Sequence, residues 1–264
     1  FYGYMYEFMG NPEFGHNALD YYNRIDSLDF IFVTSSYENR GFGTGGEYLR
    51  SPGYSVNLHG KLWYHDNDVC SFLAPEVFKR VNLSDDREWS NSETYHLQSL
   101  GYTDTPEKTK WMYRRSLGFA LTQGAFESYF DLHGGYYDHP ELMREVKMLN
   151  RIADDSKRRD RRSCSEILVI ADEKSCSYAT FDSPLLFQTM RLTQHRLIKI
   201  GAPVDHILLS DLSLIDTTPY KLIVFLNCYH ISEETLEIIR SKVLCNGKYV
   251  LWCYAPGLFC DSAC

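Results

Sequence analysis

Short apolar runs, each followed by a stretch long enough for an amphipathic helix, recur along this chain and leave it few folds to choose from. In the last third they are Glu166–Ala171 (EILVIA), His206–Leu209 and Lys221–Leu226 (KLIVFL). A run without polar alternation suits a strand covered on both faces, the strand of a parallel sheet. Pro184–Ile200 reads as a helix closed by Gly201. Ser232 caps another, with Glu233 and Glu234 in its first turn and Asn246-Gly247 at its end, and Lys248–Cys253 begins a further strand. The expectation is an open parallel α/β sheet of flavodoxin-like rhythm. The segment carries no G-x-G-x-x-G and no G-x-x-x-x-G-K-[ST], so a scaffolding or oligomerising role is expected rather than flavin or nucleotide binding.

The first part alternates in the same way. Phe1–Met9 reads as an aromatic strand, Asn17–Ile25 as a helix and Leu28–Ser35 as a strand. A Gly-rich loop, Gly41–Gly46, precedes a strand over Ser55–Tyr64, and Asn82–Thr105 has the character of a loop or lid. Helix Pro106–Thr122 leads to strand Ala125–Leu132. Helix His139–Asp155 follows, with Pro140 in its first turn and Leu142, Val146, Leu149 and Ile152 along one face. Four strands with intervening helices amount to half of an eight-stranded barrel. The fold expected is therefore α/β: a partial (β/α)8 TIM barrel, its C-terminal half, over residues 1–155, then a charged linker, then a flavodoxin-like parallel α/β domain over 163–264 that stops unfinished.

Charge and composition remove several classes of function. With a net charge of −8 the chain lacks the basic face that phosphate backbones require, so no nucleic-acid partner is expected, and the basic run Lys157–Arg162 reads as a solvated helix end or linker. No apolar run is long enough for a membrane span, and no membrane partner is expected. The 8 cysteines show no C-x-x-C and no Cys/His metal spacing; no metal and no cofactor are expected, and the chain reads as reduced and cytoplasmic. The 20 Tyr, 15 Phe and 4 Trp can stack on sugar rings or fill a core.

Chemistry concentrates in Ser55–Asp68, SVNLHGKLWYHDND. Barrels of this class place their active sites at the carboxyl ends of strands, and carboxylates beside aromatic platforms there suit sugar cleavage. On a strand, alternation would put Asn57, His59, Lys61 and Trp63 on one face, the lumen side, with Asp66 on the opposite parity, so that Asp66 needs a bend or bulge near His65 to reach the lumen. Asp66 is the candidate catalytic carboxylate, or else a surface acid. Asp68 could orient a sugar hydroxyl or form a loop salt bridge. Candidate substrate contacts are His59, Lys61, Trp63 (sugar platform or core residue), Tyr37 and Arg40 after the Leu28–Ser35 strand, Glu7 at the end of the first strand, and Asp131 and His133 at the end of the last.

The order of motifs resembles a known family. FYGY, then Gly15-His16-Asn17-Ala18-Leu19, then Asp29 to Arg40, then S-V-x-L-H-G-K-L-W, looks like the second half of a glycoside hydrolase family 42-type β-galactosidase barrel. Gly124–Tyr137 resembles that family's last barrel strand, and Cys164–Cys264 its flavodoxin-like trimerisation domain. The resemblance implies a retaining glycosidase acting on β-linked sugars with two carboxylates. The acid/base would lie upstream of Phe1, and the nucleophile would fall at Asp66, where related sequences carry Glu. Asp68 matches the pattern, and Cys70 stands where Arg is usual. It also implies a carbohydrate substrate and a homo-oligomer, a trimer, or a partner supplying the missing barrel half. The alternatives are a catalytically silent carbohydrate-binding homologue and a structural, oligomerising protein.

Overall fold

Gly60 decides how the Ser55–Asp68 segment folds. Its φ of +70° is open to glycine at little cost, and with it the chain closes a helix, α2 (Gly53–Leu58), instead of continuing a strand. Gly60 N–H bonds to Asn57 O and Lys61 N–H reaches back to Val56 O, the paired closure of a helix carboxyl end. The strand expected over Ser55–Tyr64 is thus a helix followed by strand β2 (Leu62–Asn67). Period-two alternation at Val56 and Leu58 imitates a strand, but the left-handed glycine overrides it. Asn57, His59, Lys61 and Trp63 consequently share no strand face, since the first lies in α2 and the next two in the turn.

The computed structural model describes residues 17–34, 36, 40–43, 50–80, 101–180 and 183–260. Glu7, Tyr37, the Phe1–Met9 strand and most of the Asn82–Thr105 segment lie outside them. The described elements before β2 are helix α1 (Leu19–Asn23), strand β1 (Phe30–Thr34) and α2. After it come α3 (Ala74–Arg80), α4 (Pro106–Thr122), strand β3 (Phe126–Tyr129) and α5 (Pro140–Ser156). The last part holds strand β4 (Ile167–Ala171), helix α6 (Glu173–Cys176), a helical run over 184–197, strands β5 (Val204–Leu208) and β6 (Leu222–Phe225), helix α7 (Glu233–Lys242) and strand β7 (Tyr249–Trp252). Phe187–Leu192, in the middle of the helical run, is wound as a π-helix.

Two sheets result. β1, β2 and β3 form one in that order, with β2 and β3 parallel in the register Tyr64↔Phe126, His65↔Glu127, Asp66↔Ser128 and Asn67↔Tyr129. The other runs β5-β4-β6-β7, parallel throughout, which is the order of the first four strands of a flavodoxin-like sheet. Parallel α/β architecture is therefore present in both sheets. The described residues show three strands of the first sheet and no closed barrel.

The chain divides into two compact units. One gathers the segments before Thr34, Leu49–Trp63 and Arg162–Cys264; the other comprises Thr34–Tyr48 and Tyr64–Arg161. The first unit is thus assembled from three separated segments. Its core is built on β4, β5 and β6: Leu168, Ile170, Ile207, Ile223 and Phe225 are buried with Ile239 of α7 and Val243 just after it. Tyr54 and Leu58 of α2 pack on the same cluster, and Ser55 Oγ accepts the Leu208 N–H at 2.7 Å. Each such side chain removed from water contributes roughly 1.5–3 kcal/mol. β7 lies at the sheet edge, with Tyr249 77% exposed and Leu251 also facing solvent.

In the second unit α4 and α5 begin alike. Thr105 and His139 accept the amides of Lys108 and Glu141, and a proline follows each cap. Met112, Tyr113 and Leu117 of α4 meet Leu142 and Leu149 of α5, with Tyr129 and Tyr137 packed against them. Arg114 grips Glu145 with two bonds of 2.6 and 3.0 Å.

Candidate functional site

The helix-covered side of β2 and β3 fixes which residues face the other way. Tyr129 meets Tyr113 of α4 edge-on, and His65 meets Phe119 of the same helix at 5.4 Å. His65, Asn67, Glu127 and Tyr129 share that parity, and Asn67 Nδ2 donates to Glu127 Oε1 at 3.1 Å. Asp66 and Ser128 therefore occupy the opposite face, together with the stacked rings of Tyr64 and Phe126. No bulge is needed to bring Asp66 there, because the parity expected for the lumen belongs to the helix side instead.

Asp66 has no exposed surface. Ser128 Oγ donates to its Oδ1 at 3.1 Å, while Oδ2 is buried without a hydrogen-bond partner. Burial, and after it the neighbouring charge of Asp68, pushes its pKa up to about 7; Ser128, His65 and Arg40 pull the other way. Asp68 is held differently. Arg40, itself fully buried, donates from Nη1 to Asp68 Oδ1 at 2.5 Å, and Nη2 contacts the Asp68 carbonyl at 3.4 Å. Arg115 of α4 fixes that segment by donating to the carbonyls of Arg40 and Gly41. Cys70 is buried, which pushes its thiol up to about 12, so a neutral group stands where the resemblance would place a guanidinium.

The remaining candidates sort by what they touch. Asp131 Oδ2 accepts the amides of Gly135 and Tyr136 at 2.6 and 3.0 Å, so one oxygen closes the loop after β3 while Oδ1 is buried without a partner. His133 lies edge-on to Tyr136. Lys61 donates to the carbonyls of Ile25 and Leu28 at 2.6 and 2.7 Å, tying down the turn before β1. His59 Nε2 lies 2.8 Å from Asp211 Oδ1. Trp63 is a core residue seated on Gly53, where an added Cβ would come within 3.3 Å of the indole. Of the described candidates, Asp66, Asp68 and Arg40 converge, whereas His59, Lys61 and Trp63 are engaged elsewhere.

Ser128 went unnoticed in the sequence. Its only signal is register: once β2 and β3 pair in parallel, the serine of F-E-S-Y falls beside Asp66.

The first unit also has a cavity of about 760 Å³ at the carboxyl ends of β4 and β5, lined by Asp172, Glu173, Leu208, Leu209 and His230 among others. Crevices at this end of an open α/β sheet commonly hold ligands. Here the carboxylates of Asp172 and Glu173 are already spent. Asp172 accepts from Lys174 N and from Ser175 N and Oγ, and Glu173 accepts from the amides of Leu19 and Asp20 at the start of α1. Among the described residues no group of His, Cys, Asp and Glu is arranged to hold a metal ion, and no helix is long and apolar enough to cross a membrane.

No family model matches the chain, and no curated protein matches it in sequence. Among solved structures it is similar to a β-galactosidase from the psychrophilic Marinomonas ef1, at 12% identity and a TM-score of 0.43. The match covers 92% of this chain and 42% of that one, so the chain spans less than half of the structure it resembles.

Proposed function

We propose that this chain carries part of a glycosidase site of the retaining, two-carboxylate kind, acting on β-linked sugars, with Asp66 as one of the two carboxyl groups. The observation that supports this reading is the setting of Asp66. It is a buried carboxyl near the carboxyl end of a parallel strand, on the face turned away from α4, with one oxygen that has no hydrogen-bond partner. The order of sequence motifs supports it independently. Asp68, neutralised by Arg40, supplies a fixed acceptor two residues on. Retention requires a second carboxyl about 5–5.5 Å from the first, and the resemblance assigns that group upstream of Phe1. Assembly through the second sheet belongs to the same proposal, and the exposed Tyr249 and Leu251 on its edge strand favour it.

The test is hydrolysis of 4-nitrophenyl β-galactoside by the protein that contains this chain. Asp66→Ala should lower kcat/KM by about a thousandfold or more while the far-ultraviolet circular dichroism is retained. An unchanged rate would remove Asp66 from the chemistry. A second reading, a carbohydrate binder without turnover, is favoured by the aspartate itself, since one methylene fewer than glutamate withdraws the carboxyl by roughly 1.5 Å. Galactose binding without hydrolysis in the unmodified protein would select it.

A further inference from the structure

The resemblance casts Asp66 as a nucleophile, a role that requires it to be charged. The contacts around it point elsewhere. Ser128, directly beside Asp66 in the β2–β3 register, bonds to Oδ1. Oδ2 is shut away from solvent and meets no donor. A carboxylate with a bare buried oxygen is the costly form of the group, whereas an acid with its proton on Oδ2 removes the charge and leaves a donor that a ligand oxygen can accept. The charged and titratable groups that act on it are Asp68 just after β2, Arg40 from the segment that α4 holds, and His65 from the opposite face of the strand. Arg40, the strongest cation among them, is already bonded to Asp68.

We propose that Asp66 meets its ligand as an uncharged acid, Ser128 holding Oδ1 as the acceptor so that Oδ2 presents its proton to a sugar oxygen. The inference rests on the carbohydrate reading above and fixes the role of the same carboxyl. Burial that pushes the group to about 7 keeps much of it in the acid form near neutrality. Where the accepting atom is the glycosidic oxygen, the proton passes from Oδ2 to that oxygen as the bond to the anomeric carbon breaks. The bonding pair stays on the departing oxygen, and Asp66 is left ionised. In the retaining reading the second carboxyl bonds the anomeric carbon as that bond breaks, and water then displaces it, adding its hydroxyl to the anomeric carbon and returning its proton to Asp66. Ser128 is a positioning residue, because it acts through Asp66.

Two measurements decide it. In the ligand-free protein, the carbon-13 resonance of the Asp66 carboxyl should titrate near pH 7. Ser128→Ala should move that midpoint upward by about one pH unit, because a hydrogen bond to a charged group is lost, and Ser128→Thr should restore it. A midpoint in the ordinary aspartate range, or one indifferent to Ser128→Ala, overturns the proposal. In calorimetry with galactose, affinity should fall about tenfold per pH unit above the midpoint. Asp66→Asn, which keeps an N–H donor at the Oδ2 position, should bind at all pH values, and Asp66→Ala should bind weakly throughout. Affinity that rises with pH, or Asp66→Asn binding as poorly as Asp66→Ala, makes Asp66 an ionised acceptor and also overturns it. If galactose fails to bind at any pH while the carboxyl still titrates near 7 under the control of Ser128, the carbohydrate reading falls and the acid form stands.

Discussion

His206 in β5 and Asp66 in β2 are both ionisable groups sealed inside parallel strands, and burial forces both to be neutral. For the histidine this means losing a proton. Burial pushes His206 down to about 3, and Gln194 Nε2, a donor, lies 3.2 Å from Nδ1, which suits a neutral ring. For Asp66 it means keeping a proton, at about 7. The same desolvation therefore makes one unit sensitive to acid and the other sensitive to base. The apolar sheet tolerates its histidine with ordinary packing around it. The other sheet holds a carboxyl with an unmet oxygen, and such a cost is characteristic of places where a ligand completes the structure.

The largest test of this contrast is the histidine. Its folded value lies below the unfolded one, so its contribution is complete above pH 6.5 and is lost as pH falls toward 3. At about 1.4 kcal/mol per pH unit the whole loss is about 5 kcal/mol. Hydrogen exchange followed peptide by peptide should show β4, β5 and β6 losing protection on acidification before α4 and α5 do, and His206→Gln should flatten that loss. Equal acid sensitivity of both units in the unmodified protein would break the contrast.

Asp66 comes next and has the opposite sign. Its folded value is raised from 3.8, so stability falls as pH rises from about 3.8 to about 7, by about 4 kcal/mol in all, and levels off above that. Asp66→Asn should then protect α4, β3 and α5 at pH 8 while changing little at pH 4. A variant that is less protected at pH 8 would show that the ionised form is the stabilised one.

The smallest effect tests the helix closure rather than the charges. Gly60→Ala puts a Cβ into open space, so its cost is that of the left-handed backbone alone, about 1 kcal/mol, and should appear as lost protection of α2. A neutral outcome would mean that Gly60 does not decide between helix and strand.

How far the sequence could be read follows from the same physics. β4, β6, α4 and α5 fall where apolar runs and caps place them within a residue or two, because burial on both faces and caps followed by proline are local signals. The segment around Gly60 misleads because one backbone angle outweighs an alternation of four or five side chains. Of the site, Asp66, Asp68 and Arg40 were legible as chemistry-bearing residues after strands. Ser128 is not legible, because only the pairing register brings it to Asp66, and the bonds that hold Lys61 and His59 are not, because their partners lie far off in sequence, at Ile25, Leu28 and Asp211.

The long-range ties of the first unit also set an order of events on the ribosome. Glu173 receives the first amides of α1, and Ser55 receives the amide of Leu208, across a separation of 153 residues. At roughly 5–20 residues per second, α2 emerges on the order of ten to thirty seconds before the strand it docks on exists. During that interval Tyr54 and Leu58 have no sheet to cover. Nearly all of the second unit, from Tyr64 to Arg161, leaves the tunnel within the same interval and can fold while the first unit waits. Slowing elongation after Arg161 should therefore favour capture of the nascent chain by chaperones at the α2 segment, with the inserted unit already protected from proteases.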